Sequence, residues 1–269
     1  MPDVTVIESL DDPRIACYRN LKDRELARLE NLFIAEGELL VRRLLASDYA
    51  VESVLLAEHQ VQTIAPLVRP GVSVYAASTA LVNQIVGFGF HSGVMAVGRR
   101  RPTATIDELA LRWGPRATLL VLPEVNKTDN LGSMLRLAAG FGVDGVILGE
   151  RCCDPFYRQA VRVSMGAVFT LGIVQSVDLT ADLRRLRHDH GFELAGTVLD
   201  ERAVALPSAD RPERLALLMG NEAQGLSPQH IALCDRTLTI PMKLGTDSLN
   251  VAVAAGIFLY HFTMLCNSR

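Results

Sequence analysis

The feature that most constrains the fold is a regular alternation in the second half of the chain. Apolar runs at 118–122, 146–148, 171–174, 193–198, 215–219 and 237–240 are separated by stretches of helical periodicity. Strands covered on both faces read as continuous apolar runs, and a helix between successive strands lets them lie parallel. The pattern therefore predicts an α/β fold with a largely parallel sheet. Open sheets of this kind take ligands beyond the carboxyl ends of their strands, so the loops that follow the runs are where chemistry is expected.

A smaller α/β unit precedes it. Strand-like runs at 54–57, 72–75 and 94–97 alternate with helical stretches at 60–67 and 79–86. Residues 11–46 predict two helices, the first carrying Arg14, Arg19, Lys22, Arg24 and Arg28 around Ile15, Leu21, Leu26 and Leu29. The acids Asp23, Glu25 and Glu30 dilute that basic face. The run Gly98-Arg99-Arg100-Arg101-Pro102-Thr103 joins charge to a proline just after a strand signal and predicts a linker. The arginines are open to two readings, a solvated connection or a contact to RNA phosphate. The division is thus 1–100 for the first domain, 101–116 for a linker and 117–269 for the second. The chain of 269 residues, 49% of them apolar, is large enough for both cores.

Composition excludes several classes. A net charge of −3 and a pI near 6.1 give no global basic field, so a nucleic-acid partner would have to be held by local clusters. Five cysteines, an odd set with Cys152 and Cys153 adjacent and no CxxC spacing, predict reduced thiols in the cytoplasm. The opening MPDVTVIESLDDPR is acidic where a signal peptide is basic, so export is not expected. The apolar stretch 249–266 is interrupted by Asn250, Tyr260 and His261 and predicts a buried helix, not a membrane span. His188 and His190 stand at a helix end, where cations suit the dipole, and no metal site is expected.

Gly140-Phe141-Gly142-Val143-Asp144-Gly145 satisfies GxGxxG letter by letter. A dinucleotide fingerprint needs a strand before the glycines and a helix after them. Here a helical pattern over 131–141 comes first and the strand-like 146–148 second, so these glycines end a helix. A nicotinamide-dependent oxidoreductase is disfavoured on that ground.

Three other segments are more informative. Asn126-Lys127-Thr128-Asp129-Asn130-Leu131-Gly132-Ser133-Met134-Leu135-Arg136 is a polar loop opening into a helix, with Asn130 as an N-cap or loop residue and Arg136 further along. Met219-Gly220-Asn221-Glu222-Ala223-Gln224-Gly225 is a strand ending in a glycine-rich turn that holds an acid. Ile240-Pro241-Met242-Lys243-Leu244-Gly245-Thr246-Asp247-Ser248-Leu249-Asn250-Val251 is a strand, a loop of small residues and then a buried helix. Taken singly, each is a strand-to-helix connection whose Gly, Asn and Ser serve turns and caps. Together they are three loops at strand carboxyl ends.

These segments resemble motifs one, two and three of the SpoU (TrmH) family of RNA 2′-O-ribose methyltransferases, of the knotted SPOUT class. The stretch 154–167 also resembles the family's connection between motifs one and two. The likeness covers most of 117–265, and a weaker one over 10–100 is similar to the family's ribosomal-protein-like (L30e-like) substrate-binding domain. The resemblance implies a trefoil-knotted C-terminal domain with a parallel sheet, a homodimer, S-adenosylmethionine as cofactor and RNA as substrate, with rRNA preferred over tRNA. It implies cofactor binding at Gly220, Ile240 and Leu249, with small residues letting the main chain approach the ligand. Among catalytic candidates, Arg136 is either a general base or a phosphate clamp that stabilises a developing alkoxide. Asn130 would orient Arg136 or the phosphate, Ser248 and Asn250 would contact substrate or shape the motif-three loop, and Glu222 would support that loop by accepting backbone N–H bonds. Glu124-Val125-Asn126-Lys127 departs from the acid and proline that many relatives carry there. The alternative is an RNA-binding or ribosome-assembly factor of the same fold without catalysis.

Overall fold

The computed structural model describes residues 3–19, 31–87, 92–243 and 248–266, which fall into two units. Residues Thr103–Asp154 and Leu171–Arg269 make one; Met1–Pro102 and Pro155–Thr170 make the other. The first unit carries β1 (Val4–Val6), β2 (Leu32–Glu36), β3 (Val51–Ala57), β4 (Ser73–Ala77) and β5 (Val94–Arg99). Their order is β1-β4-β3-β5-β2, with β5 antiparallel to both its neighbours and the other pairs parallel. The expected runs at 54–57, 72–75 and 94–97 lie in β3, β4 and β5, and the helix Thr79–Val86 stands where it was expected.

The N-terminal helical expectation needs correction. Leu32–Glu36 is a strand, with Phe33 and Ala35 buried and their neighbours half-buried, a period-two pattern set by pairing with β5. The helix Glu38–Ala46 follows it, and Ala16–Arg19 is a single helical turn. Lys22, Arg24 and Arg28, with Leu21, Leu26, Leu29, Asp23, Glu25 and Glu30, lie outside the described residues.

The segment 155–170, which the sequence division put in the second domain, packs in this first unit. Arg158 pairs with Glu36 at 2.5 Å, and Phe33 meets Phe156 and Phe169 at ring distances of 5.1 and 5.5 Å. The arginine run packs within the same unit, with Arg99 and Arg101 keeping side-chain exposures of 49 and 47%. Arg99 pairs with Glu52 at 2.6 Å, Arg100 Nε donates to the Leu32 carbonyl at 3.2 Å, and Arg101 lies over the Tyr49 ring at 4.6 Å.

In the second unit β6 (Ala117–Leu122), β7 (Gly145–Leu148), β8 (Ile173–Gln175), β9 (Glu193–Thr197), β10 (Val204–Ala205), β11 (Arg214–Leu218) and β12 (Arg236–Thr239) form one sheet. The order is β10-β12-β9-β11-β6-β7-β8 and every pair is parallel. All six predicted runs overlap strands; β10, at two residues, is too short to show a period. The helix Thr128–Gly140 ends in the glycine motif: Gly142 takes φ +66°, its N–H donates to the Ala139 carbonyl, and the Val143 N–H donates to the Ala138 carbonyl at 2.9 Å. That double bond pattern closes a helix, and β7 follows it, so the GxGxxG letters are a helix terminus.

The stretch 101–116 is not a linker through its length. Thr105 and Glu108 form a capping box that opens the helix Ile106–Ala110, and Ile106, Leu109 and Trp113 enter the core beside Leu119, Ile147 and Leu183. Leu109 lies so close to the sheet that a Cβ on Gly145 or Gly172 would stand 2.3 or 2.7 Å from it. Those glycines make room for one leucine. No helix among the described residues is long and apolar enough to cross a membrane. Leu109→Ala should cost about 2–5 kcal/mol, the range for emptying a buried leucine site. Leu111→Ala, at a side chain 87% exposed, should stay within about 0.5 kcal/mol, both read by urea unfolding.

Candidate active site

Beyond the carboxyl ends of β9, β11 and β12 lies a cavity of about 460 Å³, inside the range of about 300–1,000 Å³ typical of small-molecule sites. Thr197 at the end of β9 with Val198 and Leu199 beyond it, the loop from Met219 after β11, and Ile240 and Met242 after β12 form its walls. Ala254 and Phe258 of the helix Val251–Tyr260 face it from one side, and Lys127 and Asn130 from another.

The loop after β11 is a tight return. Asn221 and Gly225 exchange backbone hydrogen bonds at 2.9 and 3.0 Å, Asn221 Oδ1 accepts the N–H groups of Ala223 and Gln224, and Gly225 takes φ +70°. A Cβ on Gly220 would fall 2.5–2.7 Å from the Gly225–Leu226 backbone. The physical reason for Gly220 therefore differs from the expected one. The chain's own return excludes a side chain there, and the bare backbone is left bordering the cavity.

Glu222 projects from this return toward the loop after β6. Its Oε1 accepts the Lys127 N–H at 3.1 Å and Asn130 Nδ2 at 3.0 Å, and its Oε2 accepts the Asn126 N–H at 3.4 Å. The backbone bonds expected from Glu222 thus go to the motif-one segment, not to motif three. Burial pushes the carboxyl's pKa up, but the hydrogen bonds from Asn130 and from main-chain N–H groups outweigh it, and the net shift is down. Glu222 is accordingly a carboxylate at neutral pH.

Its charge orders two amides in turn. A carboxylate accepts only, so buried Asn130 must present its Nδ2 to Glu222 and its Oδ1 to Asn250, whose Nδ2 lies 3.0 Å away. Asn250 Oδ1 is then left to accept the Ala252 and Val253 N–H groups, capping the helix Val251–Tyr260. Asn130 is not itself an N-cap. Lys127 holds that position, and Asn130 sits in the first helical turn, where its side chain points inward. Ser248 and Leu249 reach the cavity rim, while Leu244–Asp247 of motif three lie outside the described residues.

Seven of the eight expected site residues, Asn130, Gly220, Glu222, Ile240, Ser248, Leu249 and Asn250, border this one cavity. Arg136 does not. It lies six residues beyond Asn130, about 120° round the helix, exposed and without a hydrogen bond or ion pair among the described residues. Sequence reading missed Thr197–Leu199, which only the placing of β9 between β11 and β12 brings to the site, and did not single out Met242 or Phe258 as site residues. The neighbouring Cys152 is no nucleophile: its thiol donates to the Leu122 carbonyl at 2.9 Å, and burial pushes its pKa up to about 12.

Fold and site together define an α/β protein that takes a small ligand at the carboxyl edge of a parallel sheet. Residues 117–260 match the SpoU rRNA Methylase family. The chain is 38% identical to an uncharacterised tRNA/rRNA methyltransferase of Mycobacterium bovis, over 97% of this chain and 92% of that one. It is 34% identical to the 23S rRNA (guanosine-2′-O-)-methyltransferase of Acinetobacter baylyi, over 76% of this chain and 83% of that one. The crystal structure of an AdoMet-bound rRNA methyltransferase from Sinorhizobium meliloti superimposes with a TM-score of 0.82 at 27% identity, covering 96% of this chain and 97% of that one. The chain belongs to the SpoU rRNA methylase family.

Glu222→Gln turns an amide N–H toward donors that now face a carboxylate, and should cost about 1–2 kcal/mol at pH 7. Because folding lowers this pKa, the contribution is present above the unfolded glutamate's value and lost as pH falls through the folded one. The gap between parent and variant in urea unfolding should therefore narrow below about pH 4.

Proposed function

We propose that this protein transfers a methyl group from S-adenosylmethionine to a ribose 2′-hydroxyl of RNA in the cytoplasm, with rRNA preferred over tRNA. The observation that carries this is the convergence of Gly220, Ile240 and Leu249 on one cavity with the Glu222–Asn130–Asn250 chain at its side. The cavity suits such a cofactor, offering apolar side chains at Ile240, Leu249 and Phe258 for a purine and bare main chain around Gly220 for polar groups. When bound, S-adenosylmethionine supplies an electrophilic methyl group on a sulfonium. The protein's share is alignment and handling of the hydroxyl proton. The rRNA preference is supported by the names of the Acinetobacter and Sinorhizobium relatives.

The guanidinium of Arg136 resists deprotonation, so its role here is to clamp a phosphate and stabilise the alkoxide that forms as the hydroxyl proton passes to solvent. Its place outside the cavity is supplied for by a homodimer. Val253, Ile257, Tyr260 and Met264 are 53, 39, 48 and 41% exposed and recur at helical spacing, with Phe141 against Tyr260 at 6.1 Å. Leu137 lies against Gly256, so the helix that carries Arg136 adjoins this apolar stripe. A second copy covering the stripe brings Arg136 of each subunit to the other's cavity. In the same reading the first unit is an L30e-like domain for RNA, the second carries the trefoil knot, and Ser248 contacts substrate.

Calorimetric titration with S-adenosylmethionine should show saturable binding by the parent and none by Gly220→Val. Arg136→Ala should bind the cofactor as the parent does, while methyl transfer to unmodified rRNA falls by about 100-fold or more. A folded parent that binds no S-adenosylmethionine would overturn the proposal in favour of a non-catalytic RNA binder. Ile257→Asp should convert a dimer to a monomer in light-scattering chromatography.

A further inference from the structure

Charge at the cavity is unevenly committed. Of the 22 described residues that border it, only Lys127 and Glu222 are charged. Glu222 spends its carboxylate inward on Asn126, Lys127 and Asn130. Lys127 does the reverse. Its main chain is fixed on both sides, with its N–H donating to Glu222 and its carbonyl accepting the Leu131 N–H at 3.0 Å. Its side chain is exposed and has no hydrogen bond or ion pair among the described residues. An ammonium is thus mounted on rigid backbone at the mouth of the site. It stands at the N-cap of the thirteen-residue helix Thr128–Gly140, whose first turn has no side-chain cap and adds positive potential, partly offset by the acid Asp129.

Three of the polar groups nearby cannot play this part. Asn130 and Asn250 are consumed by the chain that Glu222 orders, and Ser248 carries no charge. The Glu222 charge, less than 4 Å from the Lys127 N–H, belongs to the protein's own internal bonding. In a chain of net charge −3, a lysine at the rim of the site with no ion pair among the described residues is the local cation that a polyanionic substrate requires. Lysine suits this as a mobile point charge, tolerant of where a phosphate arrives.

We infer that Lys127 binds a backbone phosphate of the RNA strand at the mouth of the cavity, and so positions the reacting ribose. This rests on the methyl-transfer reading and adds to it a substrate contact drawn from the segment where this sequence leaves the common motif-one pattern. The contact is ionic and sequence-independent, so it governs affinity and placement, not the choice of base.

The test compares the parent, Lys127→Gln and Lys127→Arg, using full-length protein and unmodified in-vitro-transcribed 23S rRNA as the probe. Binding is measured across potassium chloride concentrations, alongside calorimetry with S-adenosylmethionine. One lost phosphate contact should lower the salt slope of RNA binding by about 0.7–0.9 in Lys127→Gln. Lys127→Arg should restore the slope, and cofactor affinity should be equal in all three. An unchanged slope with unchanged methyl transfer overturns the inference. Loss of cofactor affinity in Lys127→Gln also overturns it, and assigns the ammonium to the cofactor's carboxylate. If the parent itself binds no S-adenosylmethionine, the methyl-transfer reading fails first and the inference falls with it, an outcome the calorimetry separates from the others.

Discussion

A single carboxylate holds the site together. Glu222 leaves β11 and accepts two backbone N–H groups and one amide from the segment after β6, and through Asn130 it fixes Asn250 after β12. These strands are far apart in sequence, and β6 and β12 are not neighbours in the sheet. A carboxylate can only accept, so the direction of every bond outward from it is determined, ending in the cap of the helix Val251–Tyr260. Without that charge the direction of the chain is set from one end only, by the Ala252 and Val253 N–H groups that require the Asn250 amide oxygen. The half-buried position matters as well, since hydrogen bonds gain strength where water competes less.

Close backbone approach is the second constraint. Gly220 is required because the chain returns on itself, and Gly145 and Gly172 because Leu109 lies against the sheet. The same residue type therefore serves a ligand-bordering loop and an ordinary core contact, and only the identity of the intruding atom separates the two. The glycines of 140–145 form a third case, a helix end that depends on the positive φ of Gly142.

Electrostatics divides along similar lines. The arginines at 99–101 look, as a run, like the chain's best nucleic-acid feature, yet their guanidinium groups meet Glu52, a carbonyl and aromatic rings within the first unit. Lys127 belongs to no charge run and stands out in the sequence only as part of a segment that departs from the common motif-one pattern. Its significance comes from being anchored by its backbone while its side chain is left to solvent. Density of charge along a sequence and availability of charge at a surface are different quantities.

Much of this was legible from residues alone. Apolar runs separated by helical periods specified the parallel sheet, because burial on both faces leaves no room for alternation. Helix-before-strand order disposed of the dinucleotide motif, and the three loop segments named seven residues that share one cavity. What was not legible required partners distant in sequence. Leu32–Glu36 is a strand because β5 pairs with it, 155–170 packs in the first unit because Glu36 and Phe33 receive Arg158 and Phe156, and Thr197–Leu199 reach the site because β9 lies beside β11 and β12. The sequence by itself determined the local period, the helix ends and the chemistry available in each loop, since these depend on a few neighbouring residues. Tertiary structure alone decided which loop Glu222 would serve, what made Gly220 a glycine, and that Arg136 stands apart from the cavity, since each depends on where atoms distant along the chain come to rest.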